Sequence, residues 1–377
     1  VIRTFRYPLR PTKAQEASLE EVLWRCRVLY NAALQERRDA YKKLKRTITR
    51  IDQQKSLTEV RRDDPEGYGS VSTTILRSAL KRLDLAYKAF FRRCKAGEKP
   101  GFPRFRGRDR YDSFSLMVPP SLEDSKILIP KLGWIKFHEY RPLRGKPLDA
   151  TIRKEGDQWF VSIQCDLGQA PEKVEVKSHT GIDLGLTHFA TLSTGETIEN
   201  PRFYREAEAV LARRQQILAR RKRGSRSRLR AKRLVQRAHL HTKNQRLDFC
   251  RKEAKKLVSQ YDLISHEDLT IRNMVRGNLG KSINDAGWAQ FIHCIANKAE
   301  EAGKRSVGVN PRGTSQRCSR CAEDVPKGLS QRTHCCPHCG LVLDRDHNAS
   351  INIDTLGFSV VNSQEIALEN PKLRKVA

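Results

Sequence analysis

Five of the ten cysteines, Cys318, Cys321, Cys335, Cys336 and Cys339, fall within 22 residues, while Cys26, Cys94, Cys165, Cys250 and Cys294 lie far apart. A disulfide scaffold would spread its cysteines. The crowding constrains the fold more tightly than any apolar pattern in the chain. A Cys-x2-Cys turn puts two sulfurs on one side of a metal, and a second such turn closes a tetrahedron. Cys318-x2-Cys321 and Cys336-x2-Cys339 are two such turns, with 14 residues between them. His334 and Cys335 compete for a ligand place, but Cys335 leaves a poorer spacing to Cys339, so Cys336 is preferred. The expected ion is Zn(II). It is structural, because four thiolates leave no open position.

The chain carries 73 Lys+Arg against 43 Asp+Glu over 377 residues, a formal net charge of +30. Such an excess repels itself and works best against a polyanion, nucleic acid first and an anionic membrane surface second. No apolar run approaches the ~18 residues of a bilayer span. The first fifteen residues hold Arg3, Arg6, Arg10 and Lys13 without the apolar core of a signal peptide. The expectation is a cytoplasmic protein with no membrane partner. Hydrophobic residues make up 38%, enough for a sizeable core, and the length predicts two or three domains.

Val1–Leu9 alternates as a short strand. Leu19, Val22, Leu23, Cys26, Leu29, Tyr30 and Leu34 recur at three and four, predicting a helix within Glu16–Lys43. Leu76, Leu80, Leu83 and Ala86 predict a second within Ser72–Cys94, and the polar stretch 45–68 between them ends in a loop. Lys95–Tyr111 is too rich in Gly and Pro for a long helix or central strand. Its Arg104 and Arg106, interleaved with Phe102 and Phe105, suit charge pairing with and stacking on nucleic acid; the alternative is a plain linker. From Ser113 to about Leu167 the segments are short and β-like.

After a charged linker at Pro171–Lys177, Thr180–Leu192 reads as strand, tight turn and strand. Between Arg213 and Lys256, eighteen Lys/Arg face two acids, Asp248 and Glu253. Gly224–Ser227 interrupts the run, so two helices in a hairpin are expected. This charge is too one-sided for a merely solvated face. Arg213, Arg214, Arg220, Arg221, Lys222, Arg223, Arg226 and Arg228 are its candidate phosphate contacts. Asp262–Ser265 and Ser306–Val309 read as short strands, Trp288–Ala302 as a helix, and Asp346–Ile353 as a helix start. The tail after Gly357 reads as weakly ordered.

Asp183 sits mid-strand in Gly181-Ile182-Asp183-Leu184-Gly185. A buried carboxylate is costly unless it is paired or bound to a cation. Glu267 ends an apolar strand, and Asp344 and Asp346 begin a helix, where either could be a cap. Together they suggest carboxylates converging on Mg(II) or Mn(II). His188, His239 and His241 read as ordinary polar or nucleic-acid-facing residues.

The stretches GIDLGLTHFATLSTGE, SHEDLTIRNM, GWAQFIHCIANKAEEAGK, NPRGTSQRCSRC and CPHCGLVLDRDHNASINI, in this order, resemble the TnpB family. These are RNA-guided nucleases of small bacterial and archaeal insertion sequences, related to compact type V CRISPR effectors. KPGFPRFRGRDRYDSFSL extends the resemblance upstream. It implies a multidomain α/β and α+β protein: an RNase H-like (RuvC) nuclease core over 178–310 and 341–357, with the basic hairpin at 200–260 and a zinc ribbon inserted at 311–340. A β-barrel-like (wedge) domain would comprise 1–10 and 95–170, a helical recognition domain 11–94, and a flexible tail 358–377.

It also implies Asp183, Glu267 and Asp346 as catalytic carboxylates on Mg(II) or Mn(II), with Asp344 in reserve. The partners would be a guide RNA and target DNA, double- and single-stranded. Ala322 stands where the family commonly has glycine after the second cysteine, and Pro311-Arg312-Gly313 departs from its usual run. Two other readings remain: a DNA- or RNA-binding regulator that does not cut, and a DNA-strand transferase in which the same ions activate a DNA 3′ hydroxyl.

Overall fold

The computed structural model describes residues 1–275, 277, 279–328 and 331–369 and divides into two units, Val1–Gln169 and Ala170–Ala377. In the first unit, β1 (Ile2–Leu9) leads into helices α1 (Lys13–Leu44), α2 (Arg50–Asp63) and α3 (Thr73–Lys95). Strands β2 (Ser113–Ser115), β3 (Leu122–Glu123), β4 (Lys126–Ile129), β5 (Gly133–Lys136), β6 (Lys146–Glu155) and β7 (Gln158–Asp166) follow. They form two antiparallel sheets, ordered β1-β7-β6-β2 and β3-β4-β5, with a bridge between Leu9 and Phe137. Alternation along β1 buries Phe5, Tyr7 and Leu9 against Val161 and Ile163 of β7. The apolar stripe of α1 joins the same core.

The helix α2 forms within the polar stretch that shows no helical stripe. Thr49 and Asp52 make a reciprocal capping box. Leu57 and Gln53 are its buried residues, and Gln53 donates to the Ala33 carbonyl at 2.9 Å. A helix held by its cap and a single buried leucine has almost no apolar period to read.

In the second unit, β8 (His179–Leu184), β9 (His188–Leu192) and β10 (Thr197–Glu199) precede the long helices α4 (Phe203–Ala219) and α5 (Arg226–Gln260). Then come β11 (Leu263–Glu267), α6 (Ile271–Met274), α7 (Gly280–Ala286), α8 (Trp288–Glu301) and β12 (Arg305–Val309). The hairpin strands β13 (Thr333–Cys335) and β14 (Val342–Asp344) precede α9 (Arg345–Glu369). The five-stranded sheet is ordered β10-β9-β8-β11-β12. β8, β11 and β12 are parallel, while β9 and β10 are antiparallel.

Ile182, Leu184 and Ile264 face α5 and α8, whose Leu257, Phe291 and Ile295 complete that core. The period of two puts Gly181, Asp183 and Ser265 on the other face, and α9 crosses there. The helix continues through Gly357 to Glu369, correcting the expectation of a loose tail from 358; residues 370–377 lie outside the described residues. Gly357 is a point of close approach rather than a stop, since a Cβ there would come 1.9 Å from Ser265 Oγ. Among the described residues, no helix is long and apolar enough to cross a membrane.

Candidate metal centres and nucleic-acid surface

β8 and β11 run side by side with His266 opposite Ile182, so their carboxyl ends carry Asp183 and Glu267 together. The crossing helix α9 can approach because Gly181 has no side chain: a Cβ there would lie 2.1 Å from the Ser350 carbonyl oxygen and 2.4 Å from Asp354 N. Asp354 pins the crossing further, accepting from Ser193 Oγ at 3.0 Å and facing His179 Nδ1 at 2.9 Å. This lays the first turn of α9 over the strand ends. Asp344 accepts the N–H groups of Asp346 (2.8 Å) and His347 (3.1 Å) and so caps the helix. Asp344 is thereby occupied as a cap, while Asp346 Oδ2 lies 3.9 Å from where a Cβ on Gly185 would stand; both charges act on Asp183, that of Asp346 the more strongly.

Asp183 is surrounded by protein yet keeps part of its surface open. Burial, then the charges of Glu267 and Asp346, push its carboxyl up to about 8 against the opposing pull of Arg345. Burial also raises Glu267, and the Thr314 hydroxyl, donating to Oε1 at 2.5 Å, works the other way. Arg345 at 3.2 Å and Arg332 at 3.5 Å hold Asp346. Thr314 and Arg332 carry no sequence signal; Arg345 could have been noticed as the cation between two aspartates. An oxygen donor such as Asp183, whose ionisation the charges of Glu267 and Asp346 oppose, suits a divalent cation such as Mg(II) or Mn(II), which would offset that repulsion.

The raised pKa has a consequence for stability. Between about pH 4 and pH 8 the folded state keeps a proton on Asp183 that the unfolded chain has released, so stability falls as pH rises through that window. Without added divalent metal, Asp183→Asn is expected to raise the melting temperature more at pH 8.5 than at pH 5. The ceiling is about 1.4 kcal/mol per pH unit. An equal change at both pH values in thermal unfolding would show that Asp183 is not the strained group.

The sulfurs of Cys318, Cys321, Cys336 and Cys339 all lie within 4.8 Å of one another, the only such ligand group of three or more among the described residues. Cys318 and Cys339 are 3.6 Å apart, as are Cys321 and Cys336. Tetrahedral Zn–S bonds of about 2.3 Å require sulfur separations of about 3.8 Å, so Zn(II) fits. Burial raises the Cys318 thiol, but the N–H groups of Cys321 and Arg320, with His334 and Cys339, outweigh it and bring it to about 5. Both knuckles close through a left-handed residue, Gly340 at φ 70° and Ala322 at φ 63°. The second carries the strain that glycine would avoid. Cys335 is exposed and outside the group, and His334 is fully buried beside Lys327.

The ribbon is strapped to α9. Asn348 accepts the Ser319 N–H at 3.0 Å and donates to the Arg317 carbonyl at 2.8 Å, and Asn352 donates to the carbonyls of Thr314 and Arg317. Asn348 stands in the CPHCGLVLDRDHNASINI stretch, but neither asparagine has a local pattern that announces this strap.

The basic run is the hairpin of α4 and α5. Arg213, Arg220, Arg221, Lys222, Arg223 and Arg226 are exposed, four of them in the connecting turn rather than in a helix. Arg214 and Arg228 differ. Arg214 donates to the Leu234 carbonyl at 3.0 Å, and Arg228 to those of Leu218 and Arg221 at 2.8 Å, so these two tie the hairpin together. His239 and His241 are exposed on α5, and His188 pairs with Glu199 at 3.0 Å. In the first unit Arg104 and Arg106 are exposed. The segment bearing them is anchored to α1, where Asn31 exchanges hydrogen bonds with the Arg106 backbone at 2.8 and 3.0 Å.

A family model described as “Probable transposase” (OrfB_IS605) matches residues 162–278, and one described as “Cas12f1-like, TNB domain” matches 288–353. A helix-turn-helix model matches residues 1–46, which here form a strand and one long helix. A Streptomyces pristinaespiralis protein provisionally named RNA-guided DNA endonuclease is 30% identical over 369 residues, 95% of this chain and 90% of that protein. InsQ of Escherichia coli (strain K12), named in the same way, is 28% identical over 401 residues, 99% of this chain and 97% of InsQ. The fold resembles Cas12f1 in its cryo-EM complex with sgRNA and target DNA, with a TM-score of 0.56 at 13% identity over 91% of this chain and 83% of that one. With its motifs in family order and its identity carried across nine-tenths of a relative's length, the chain belongs to the TnpB family.

Proposed function

We propose that this protein is an RNA-guided DNA endonuclease that hydrolyses phosphodiester bonds where Asp183, Glu267 and Asp346 meet. What supports the reading is that Asp183 and Glu267 stand at the ends of adjacent parallel strands, and that the charges of Glu267 and Asp346 both act on Asp183. The five-stranded sheet with its crossing helix is read as an RNase H-like (RuvC) core, the ribbon between β12 and α9 as a structural zinc site, and the β-rich part of the first unit as a wedge-like domain. Guide RNA and target DNA, first duplex and then separated strands, are its partners. Guide pairing would supply sequence specificity while the protein holds backbones.

When bound, divalent ions supply an activated water and stabilise the leaving oxygen. Asp183, rigid within β8, holds the centre of the site. Glu267 keeps a fixed orientation because Thr314 occupies one of its oxygens. Asp346 is placed by the Asp344 cap, and Arg345 and Arg332 balance part of the accumulated negative charge.

Purified protein carrying its co-purifying RNA is expected to cut a matching duplex with Mg(II) and not without it. Stable binding with no cutting would favour the regulator. Joined products would favour strand transfer, the reading that the description of the model matching 162–278 suggests.

The exposed hairpin turn is read as a phosphate-binding surface. Each neutralised phosphate adds roughly 0.7 to 0.9 to the slope of log affinity against log salt. Changing Arg220, Arg221, Lys222 and Arg223 together to Gln is expected to lower that slope by about three, with little change in target ranking. A slope equal to the parent's in salt titrations would make this turn a solvated face.

A further inference from the structure

The end of α3 carries more aromatic surface than its core can use. Its buried stripe stops at Leu83, yet Tyr87, Phe90 and Phe91 continue the apolar period. Phe102 of the Gly/Pro-rich segment folds back on them: its ring lies edge-on to Phe90 at 5.3 Å and to Tyr87 at 5.6 Å. Phe91 packs edge-on to Phe90 at 5.2 Å. The cluster remains open, with Phe91 56% and Phe102 45% exposed. Two phenyl rings of one cluster, each packed on Phe90 and left half in water, are a marked cost unless something covers them. Around them, nine Lys/Arg against two acids lie between Lys88 and Arg110. The Arg93 guanidinium lies beside the segment at Gly101, and Arg38 sits over the neighbouring Phe105 ring at 5.3 Å.

We propose that Phe91 and Phe102 form a stacking platform for unpaired nucleotides of a single strand, whose phosphates are met by the surrounding cations. The inference rests on the nucleic-acid reading of this protein and adds a specific site to it. An unpaired base offers a flat face to an exposed ring and brings a negative charge with it, whereas a duplex hides its base faces. A second copy of this chain would bring the same cations against these, so charge argues against self-association.

The test is equilibrium binding of the full-length protein to labelled oligouridine RNA of about 12 nucleotides, the matching oligothymidine DNA, and a duplex of equal length. No divalent metal is added, so the outcome is independent of cleavage. Phe91→Leu with Phe102→Leu keeps apolar volume and all charges. Single-strand affinity is expected to fall roughly 5- to 150-fold per ring, with duplex affinity and the salt slope unchanged. Phe91→Trp is expected to keep affinity, with its emission quenched on adding either single strand. The stronger of the RNA and DNA arms identifies which strand uses the platform. Parent-like single-strand affinity in the double variant, or an equal loss for duplex and single strand, overturns the proposal. So does a dimer in sedimentation that the double variant loses. If the leucine variant does not fold, absence of quenching in Phe91→Trp is decisive against it.

Discussion

Asp183→Ala is expected to lower the cleavage rate by at least about a thousandfold while RNA and target DNA bind nearly as before. Metal-assisted stabilisation of developing charge supplies several kcal/mol, and each 1.36 kcal/mol is tenfold in rate. The charges of Glu267 and Asp346 both act on Asp183, so the substitution removes the carboxylate that the proposed site is built around. The substitution deletes one negative charge from a chain of net +30, so attraction to nucleic acid does not weaken. Single-turnover cleavage and filter binding on the same preparation measure the two effects separately. Asp346→Asn should behave similarly. Asp344→Ala should instead cost about 1 kcal/mol of stability as a lost cap, with most cleavage retained. Cutting that survives in pure Asp183→Ala protein would put the active site elsewhere.

The second large effect is expected at the cysteines. Protein prepared without chelator should hold about one zinc per chain, lost in Cys318→Ser or Cys339→Ser and kept in Cys335→Ser. Structural zinc contributes roughly 10–16 kcal/mol of apparent binding energy in isolated fingers. Among the described residues the ribbon has little else: Val325 and Leu341 are its buried apolar residues besides cysteine. Its loss should therefore unfold the 311–344 segment, read as new protease sites there. Cleavage should fall as well, because the segment supplies Thr314 to Glu267 and carries the carbonyls that Asn348 and Asn352 hold from α9. Elemental analysis finding no zinc would remove the claim.

The cysteine spacing, the stripe of α1, the strand–turn–strand around Asp183 and the charged hairpin could all be read along the chain. Each is a local pattern, in which partners lie a few residues apart and the period of helix or strand decides which side they face. The acidic residues were legible as costly positions and, through the family resemblance, as a candidate metal site, but their spatial relation was not, because it depends on the parallel pairing of β8 with β11 and the crossing of α9. That crossing depends on missing side chains at Gly181 and Gly357. From sequence, Gly357 marked only the start of a weakly ordered tail, whereas in the fold it is where helix backbone meets Ser265.

Similarly, the charge of Arg228 was plain, but only the hairpin showed that it is spent on the carbonyls of Leu218 and Arg221. The polar helix α2 was silent because a capping box and one leucine stabilise it without a stripe. The sequence by itself determined ligand types, element periods and charge. Which charges act on Asp183, which arginines stay exposed, and which aromatic rings remain uncovered were decided by tertiary contacts, because those depend on groups tens to hundreds of residues away that no local period encodes.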